Sequence, residues 1–394
     1  MDSGWLAGPL FLRRRLSVRG GEGCGMNREM VDAVLACYQF DGPVLSCEPC
    51  GSGHINETYR VTCGLQEGKT RRYVLQRMNR SVFADIDGLM ENVANVTSYL
   101  RRRLLLSGGD PERGTMNLVL TRTGENYCTD PQGGCWRVFH FIEDAVCLDR
   151  VEKPQDFYES AVAFGSFQRL LAEYPAQTLH ETIPNFHNTI SRFRDFERAV
   201  ERDACGRADS VRAEIAFAMA RREEAGTLVR MQEDGLLPLR VTHNDTKLNN
   251  VMLDRETGKG LCVIDLDTVM PGLAVNDFGD SIRFGASTAD EDERDLSKVE
   301  MDLSLFELYT KGFLEGCGGS LTEAEIGAMP MAAKLMTLEC GIRFLGDYLD
   351  GDRYFRIHRE GQNLDRARTQ FKLVADMEKK WDAMHESVRR VAGL

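Results

Sequence analysis

The amino-acid sequence predicts an α+β protein with two lobes, a small antiparallel-sheet lobe followed by a larger, mainly helical lobe. Up to about residue 142, short segments of alternating apolar and polar residues are separated by glycine-containing turns, which is typical of strands. Beyond that point, apolar residues recur at helical spacing over long stretches. The length of 394 residues also exceeds what one simple core usually supports, which agrees with two lobes.

The first lobe is expected to span residues 27–142. The apolar stretch in residues 1–26 precedes three arginines, the reverse of the order in a secretory signal. These residues are expected to be a disordered tail, or an extension upstream of a true start at Met26. Helices are predicted at 27–40 and 85–106, and strands at 45–50, 58–62, 72–78, 115–121 and 135–141.

The second lobe is expected to span residues 143–394. Helices are predicted near 154–172, 189–203, 208–234, 293–315, 322–350 and 364–391. One short β-rich island, from Leu239 to Ile264, interrupts them and carries polar clusters at the ends of its apolar segments. Because catalytic groups collect in loops at strand ends, the island is the first candidate for a functional site.

Composition disfavours several classes of function. The net charge of −12 argues against general nucleic-acid binding, since phosphate contacts need clustered Lys and Arg. No apolar run approaches the length of a membrane-spanning helix, so no membrane partner is expected. A cytoplasmic location is expected from the cysteine usage, and a monomer is the default. The 12 cysteines are expected to be reduced thiols, because Cys47-Glu48-Pro49-Cys50 lacks the second Cys or His pair of a zinc site.

The first polar cluster of the island has the spacing His-x-Asp-x-x-x-x-Asn, formed by His243, Asp245 and Asn250. Phosphoryl transfer requires a carboxylate that accepts the proton of the attacking hydroxyl and oxygen ligands that hold Mg²⁺ against the nucleotide phosphates. Asp245 is the candidate base, and Asn250 is a candidate metal ligand. Asp265 ends the next apolar segment, and a hairpin is expected to bring it beside Asn250 as the second ligand.

Longer segments of the chain are similar to the N-acetylhexosamine 1-kinases, within the aminoglycoside phosphotransferase and choline kinase superfamily. The similar segments are Gly53-His54-Ile55-Asn56, Leu75-Gln76-Arg77-Met78-Asn79, Thr242 to Asn250, Ile264 to Thr268, Asp277 to Gly285, and Glu339-Cys340-Gly341 with Arg343-Phe344-Leu345. The resemblance extends from about Asn27 to the last helix. It implies a protein-kinase-like fold, with a nucleotide-binding first lobe and a catalytic and sugar-binding second lobe. It also implies ATP and Mg²⁺ as cofactors and the anomeric hydroxyl of GlcNAc or GalNAc as the acceptor.

The resemblance assigns roles within the island. Asp245 would accept the proton of the C1 hydroxyl, and Lys247 either balances charge near the phosphoryl group or is a solvated lysine. His243 is expected to orient the loop rather than to carry protons. Asp267 and Thr268 are expected on the substrate side. In an extended segment Asp267 would point the same way as Asp265, to bind a second magnesium or a sugar hydroxyl.

The nucleotide contacts are expected in the first lobe and its helix. A glycine turn would cover the phosphates with Gly51, Ser52, Gly53, His54 and Asn56, and Phe141 and Glu143 would meet the adenine at the hinge. The usual strand lysine of kinases is missing, and Gln76 or Arg77 stands in its place on opposite faces. Charge favours Arg77, whereas a gap-free overlay on the superfamily equally selects Gln76. Glu91 is the predicted acidic partner, with a surface-exposed glutamate as the alternative.

The sugar contacts are predicted in the C-terminal helices. Arg343 interrupts an apolar pattern and would donate to sugar hydroxyls, while Tyr354 would stack or hydrogen-bond. The competing interpretation of Arg343 is an internal ion pair with Asp347, four residues on.

The letters Asp277-Phe278-Gly279 match the magnesium-binding triplet of protein kinases. Asp277 lies beyond Pro271-Gly272 and not at the end of the hairpin, so Asp265 is the predicted metal aspartate. Asp277 and Asp280 are instead expected to cap the following helical stretch and to brace the catalytic loop.

Alternative functions are a kinase for another small alcohol, such as homoserine, choline or methylthioribose, and a non-catalytic nucleotide-binding protein. A protein kinase is disfavoured because no A-P-E segment follows the metal aspartate.

Overall fold

The structure is a computed structural model that describes residues 28–51 and 55–394. The predicted tail at 1–26 and residues Ser52, Gly53 and His54 of the glycine turn lie outside the described residues. The chain forms two compact units. Unit 1 contains the described residues up to Ala84 together with Leu118–Phe141, and unit 2 contains Asp85–Asn117 and Ile142–Leu394.

Unit 1 is an antiparallel sheet with one helix. The helix is α1 (Arg28–Ala36), and the strands are β1 (Val44–Pro49), β2 (Glu57–Gly64), β3 (Thr70–Met78), β4 (Leu118–Val119), β5 (Cys128–Thr129) and β6 (Cys135–His140). The strand order is β1-β2-β3-β6-β4, and β5 also pairs with β6. The predicted strand at 115–121 is reduced to β4, because the Asn117 side chain donates to three carbonyls, those of Pro111, Glu112 and Thr115, and holds that segment as a turn.

The two faces of this sheet have different surroundings within unit 1. Helix α1 packs on the first face, where Val34 of α1 and Leu75, Trp136 and Val138 of β3 and β6 share one apolar core. Successive residues of a strand alternate between faces, so Gln76 and Arg137, which pair in register, lie on the second face. Arg77 pairs with Trp136 and therefore belongs to the first face.

Unit 2 is mainly helical. Its helices are α2 (Ile86–Leu106), α3 (Pro154–Leu170), α4 (Thr189–Arg202), α5 (Arg212–Met219), α6 (Arg222–Ala225), α7 (Thr227–Glu233), α8 (Ala274–Gly285), α9 (Leu303–Cys317), α10 (Glu323–Leu349), α11 (Gln362–Lys379) and α12 (Trp381–Ala392). Its strands are β7 (Ala145–Val146), β8 (Arg240–Thr242), β9 (Val251–Asp254), β10 (Gly260–Val263) and β11 (Met270–Gly272), which form the small sheets β10-β9-β7 and β11-β8.

The α+β class and the sheet-then-helix order are confirmed, and three predicted details are wrong. Helix α2 belongs to unit 2, where its Asn92 side chain donates to the carbonyls of His180 and Val269. The segments predicted as single helices at 208–234 and 364–391 are each divided into shorter helices. Helix α8 is absent from the predicted helices, and 11 of its 12 residues are buried, the polar Asn276, Asp277 and Asp280 among them. Within the described residues, no helix is both long and apolar enough to cross a membrane.

Helices α8 and α10 approach each other closely at Gly279. A Cβ atom added to Gly279 would lie 2.5 Å from the Ala332 carbonyl oxygen and 2.7 Å from its carbonyl carbon. Backbone atoms at that distance have no rotamer into which to move, so only glycine fits the contact. By contrast, a Cβ at Gly327, also inside α10, would meet no heavy atom within 4 Å.

We expect Gly279→Ala to destabilise the protein by about 1–3 kcal/mol, because overpacking forces α8 and α10 apart. Gly327→Ala is the matched control and should stabilise the protein by about 0.5–1 kcal/mol, since alanine is the better helix former. Denaturant unfolding of both variants measures the difference. A Gly279→Ala protein as stable as Gly327→Ala would refute the close approach.

Candidate active site

Loop 243–250, which joins β8 to β9, is hydrogen-bonded through its backbone to helix α8. The Asp277 carboxylate accepts hydrogen bonds from the backbone N–H of His243 (2.9 Å) and of Asn244 (2.8 Å), and from Nε2 of Gln168 (2.8 Å). Asp280 accepts from the N–H of Thr246 at 2.9 Å. The predicted bracing of the loop is therefore confirmed. The predicted helix cap is wrong, because α8 begins at Ala274 and both carboxylates point to the loop.

The bracing carboxylates are buried and differ in their electrostatics. Burial raises the pKa of Asp277, although His243 and the loop amides oppose this shift. Burial alone would also raise the pKa of Asp280, but the neighbouring Arg283 and Lys247 bring the pKa of that carboxyl below its usual value. Both oxygens of Asp277 are occupied by loop amides, so its position in the triplet Asp277-Phe278-Gly279 is a structural one.

The predicted base is surrounded by the other polar residues of the loop. Lys247 Nζ lies 2.8 Å from Asp245 Oδ1, and Asn250 Nδ2 lies 3.2 Å from Asp245 Oδ2 and 2.8 Å from the Asp245 carbonyl oxygen. The Asp245 carboxylate raises the pKa of Lys247, so that lysine stays charged. The Asp245 side chain is 27% exposed, which leaves it accessible to a substrate hydroxyl.

His243 is fully buried beneath the loop. Its Nδ1 accepts from the N–H of Asp245 (3.3 Å), which places the proton on Nε2 for the bond to the Ile264 carbonyl oxygen (2.8 Å). The ring also packs edge-on against Phe164, with ring centroids 5.5 Å apart. The enclosed ring thus joins the backbone of the loop to the Ile264 carbonyl, and its orienting role stays a prediction.

The hairpin β9-β10 brings Asn250 and Asp265 to one end, since the N–H of Ile264 donates to the Asn250 carbonyl oxygen at 2.9 Å. Asp265 has a left-handed backbone, with φ at +60°, and such conformations concentrate at functional sites. The extended geometry predicted for Asp265 and Asp267 is wrong, because Leu266–Thr268 forms a 3-10 turn. The Thr268 hydroxyl, predicted to contact substrate, donates to the His243 carbonyl oxygen at 2.7 Å.

The oxygen donors at this hairpin end fit a magnesium site. Asn250 commits its Nδ2 to Asp245, so its Oδ1 lies on the other side of the amide. An amide oxygen with one or two carboxylates is the hard donor set that Mg²⁺ shares with substrate phosphates. In the described part of the chain, no cluster of three or more His, Cys, Asp and Glu side chains has the geometry of a self-sufficient metal site.

Arg343 and Tyr354 are brought together in an aromatic cluster. The Arg343 guanidinium carbon lies 5.4 Å from the ring centroid of Phe186, 5.9 Å from that of Tyr354 and 5.5 Å from that of Phe355. The alternative ion pair with Asp347 is absent. Asp347 instead accepts from the backbone N–H groups of Arg353, Tyr354 and Phe355, at 2.8–2.9 Å, and so positions the two rings beside Arg343.

A buried pair, missed by sequence reasoning, links this cluster to loop 243–250. His187 Nδ1 lies 2.9 Å from Glu339 Oε1, and its Nε2 lies 3.2 Å from the carbonyl oxygen of Asn244. Although burial opposes it, Glu339 raises the pKa of His187. Glu339 precedes Arg343 by one turn of α10, so the Glu339-Cys340-Gly341 segment was the available signal, whereas His187 lies in no motif.

The residues predicted for the nucleotide are found in both units. Gly51 has a left-handed φ of +88°, and Asn56 Oδ1 accepts from the Asn79 N–H at 3.1 Å. The Phe141 ring lies under the Arg72 guanidinium at 4.4 Å. In unit 2, the Glu143 carbonyl oxygen accepts from Arg113.

Two predicted charges have local partners. Arg77 pairs with Glu57 at 3.1 Å and lies over Trp136, on the face that α1 covers. Glu91, with 61% of its side chain exposed, lies 2.9 Å from His180 Nε2, which matches the exposed-glutamate alternative. Neither pairing contains Gln76, which bonds to Arg137 on the second face.

Comparison with known proteins gives one family and a consistent fold. The profile of the phosphotransferase enzyme family (APH) matches residues 46–303. A microcompartment-associated aminopropanol kinase aligns with 16% identity over 91% of this chain and 99% of its own, with a TM-score of 0.54. An amicoumacin kinase aligns with 13% identity over 90% and 94%, with a TM-score of 0.54. An aminoglycoside phosphotransferase from Alicyclobacillus acidocaldarius aligns with 13% identity over 95% and 98%, with a TM-score of 0.55. At these identities the structures establish the fold.

We expect Asp277→Ala to lower the free energy of unfolding by about 3–5 kcal/mol, because it leaves two buried amides and a glutamine without their acceptor. Asp265→Ala, at the hairpin end, should change it by no more than about 1 kcal/mol. Denaturant unfolding monitored by circular dichroism tests both variants. Equal losses in the two would contradict the bracing role of Asp277.

Proposed function

The chain belongs to the phosphotransferase enzyme family, and from this premise we propose that it transfers the γ-phosphoryl group of ATP to the anomeric hydroxyl of an N-acetylhexosamine. The observation that carries the proposal is the convergence of Asp245, Lys247 and Asn250 at one end of the β9-β10 hairpin that also ends in Asp265. This is the group arrangement that phosphoryl transfer to a hydroxyl requires.

In the proposed reaction Asp245 accepts the proton of the acceptor hydroxyl. The sugar oxygen then forms a bond to the γ-phosphorus, the bond from that phosphorus to the β,γ-bridging oxygen breaks, and ADP leaves. Lys247 Nζ, 2.8 Å from Asp245 Oδ1, balances the charge of the carboxylate that would take the proton. Asn250 and Asp265, with Asp267 beside them, would hold Mg²⁺, which supplies charge neutralisation for the phosphates when bound.

The acceptor assignment rests on the resemblance to N-acetylhexosamine 1-kinases and on the aromatic cluster. Arg343 offers a planar fork of donors, and no hydrogen bond or ion pair engages it among the described residues. Tyr354 is 66% exposed beside it and suits the apolar face of a sugar ring. His187 and Glu339 connect this cluster to the loop that carries Asp245.

The charge of the cluster disfavours a cationic acceptor such as choline or an aminoglycoside. Arg192 is also at this site, where it donates to the Phe186 carbonyl oxygen at 2.9 Å. Burial and the nearby Arg343 lower the pKa of Arg192, although Glu339 and Asp195 oppose this shift. The Arg343 guanidinium among the rings opposes the stacking of an amine cation on them, whereas a neutral sugar is not penalised.

We expect ATP- and Mg²⁺-dependent ADP release with GlcNAc or GalNAc and none with choline or homoserine. Asp245→Asn should lower kcat by at least about 10³-fold, since the base is lost while the side-chain shape is kept. Asp265→Ala should have no measurable turnover while remaining folded. A coupled ADP assay across the acceptor panel makes the measurement, and turnover with choline alone would contradict the sugar assignment.

We expect Arg343→Lys to raise the KM for the sugar about 10-fold or more, which corresponds to about 1.4 kcal/mol, because lysine lacks the planar donor fork and the ring contacts. The KM for ATP should not change. Arg353→Lys, whose side chain is exposed in the same loop, is the matched control with unchanged kinetics. A normal sugar KM in Arg343→Lys would remove Arg343 from the sugar site.

A further inference from the structure

The peptide unit between Asn244 and Asp245 carries the proposed base and is contacted on both sides by imidazole rings. Its carbonyl oxygen lies 3.2 Å from His187 Nε2, and its N–H donates to His243 Nδ1 at 3.3 Å. Because a peptide unit is planar and rigid, these two contacts fix the direction in which the backbone enters Asp245. His187 reaches the peptide from the segment just before α4, far from the catalytic loop in sequence.

The surroundings of His187 require a proton on each of its ring nitrogens. A carbonyl oxygen can only accept a hydrogen bond, so the contact with Asn244 places one proton on Nε2. On the other side of the ring, Nδ1 lies 2.9 Å from Oε1 of Glu339, and a carboxylate is also an acceptor. A neutral imidazole has a single N–H and can serve only one of these acceptors. The ring therefore makes both bonds as an imidazolium.

Glu339 favours the imidazolium because it has no other hydrogen-bond partner among the described residues. Its side chain is 1% exposed, and its Oε2 forms no hydrogen bond there. An ionised carboxylate buried in this way needs an opposite charge beside it. The imidazolium of His187 supplies that charge at 2.9 Å.

The charged groups around this pair come from three helices. Burial lowers the pKa of His187, but Glu339 of α10 and Asp280 of α8 raise it above its usual value, while Arg343 of α10 opposes them. Arg192 of α4 also interacts with Glu339. Because the pKa of His187 is raised, the ring holds its second proton at low and neutral pH and releases it as the pH rises through the raised pKa.

We propose that His187, held as an imidazolium by Glu339, is a positioning residue that fixes the peptide plane of the base Asp245. Its part in the reaction rests on the proposed function. When the second proton is lost, the remaining N–H serves the stronger acceptor, which is the Glu339 carboxylate. Nε2 then presents a lone pair to the Asn244 carbonyl oxygen, and the two repel each other. The peptide unit is released on that side, so Asp245 loses its fixed direction.

NMR of the unmodified protein measures the charge of His187 directly. The His187 ring signals, assigned from the backbone, should show a proton on both nitrogens at pH 7.5, where an imidazole of ordinary pKa is about nine-tenths neutral. The backbone amide signal of Asp245 should shift over the pH range in which His187 loses its second proton, and His187→Gln should remove that shift. A single protonated nitrogen at pH 7.5, or an Asp245 amide that does not follow the titration, would overturn the proposal.

The pH dependence of kcat, measured by ADP release, distinguishes positioning from a purely structural role. Glu339→Gln keeps the side-chain shape but removes the charge that stabilises the imidazolium, so the fall in kcat at alkaline pH should move at least about 1 pH unit lower. His187→Gln should lower kcat about 10-fold or more, with an unchanged KM for ATP, and should lack this fall.

The matched control is His180→Gln, which removes an exposed histidine that also lies 2.9 Å from a glutamate. Its pH profile should equal that of the unmodified protein. A fall in kcat at the same pH in Glu339→Gln, His180→Gln and the unmodified protein would contradict the proposal.

The two measurements separate this inference from the proposed function. If the protein had no kinase activity, the proposed function would fail, and the NMR titration of His187 and Asp245 would still decide whether the imidazolium fixes the loop. If kinase activity were normal while His187 was neutral at pH 7.5, the inference would fail alone.

Discussion

The candidate site depends on one buried carboxylate, that of Asp277. Loop 243–250 reverses direction at Asn244, whose φ of +65° turns two successive amides away from solvent. Buried amides require acceptors, and Asp277 supplies one oxygen to each. With its backbone held there, the loop presents the next side chain, Asp245, on its outer side. A buried helix, α8, is thus what allows a strained loop to keep a fixed shape.

Helix α10 extends this organisation from the base to the proposed acceptor site. Three polar residues follow one another at four-residue spacing along it, namely Glu339, Arg343 and Asp347, and therefore share one face. Glu339 fixes His187 on the Asn244 carbonyl, Arg343 enters the aromatic cluster, and Asp347 folds the segment that carries Tyr354. One rigid helix therefore sets both the loop and the cluster, so a change in its position affects both.

Much of this arrangement was predictable because it is local in sequence. The spacing of His243, Asp245 and Asn250, followed by a hairpin and Asp265, belongs to one continuous segment with its own alternation. The parts that escaped prediction depend on long-range pairing or on complete burial. The contact of Gln76 with Arg137 requires the register of two strands separated by α2, and His187 meets Glu339 only after α10 has packed. Helix α8 has no solvent face, and its polar residues meet the loop instead of water, which only the folded chain reveals.

The triplet Asp277-Phe278-Gly279 shows why a short motif match alone is weak evidence for a metal-binding residue. Each of its residues answers a packing requirement: Asp277 binds loop amides, Phe278 packs against the rings of Phe306 and Phe313 at 5.9 and 5.5 Å, and Gly279 admits the Ala332 carbonyl. The proposed metal aspartate, Asp265, lies just after the β10 strand beside loop 243–250, whereas Asp277 lies inside the buried helix α8. The role of a carboxylate therefore depends on where the backbone places it. Inside the buried helix α8, the Asp277-Phe278-Gly279 triplet stabilises loop 243–250.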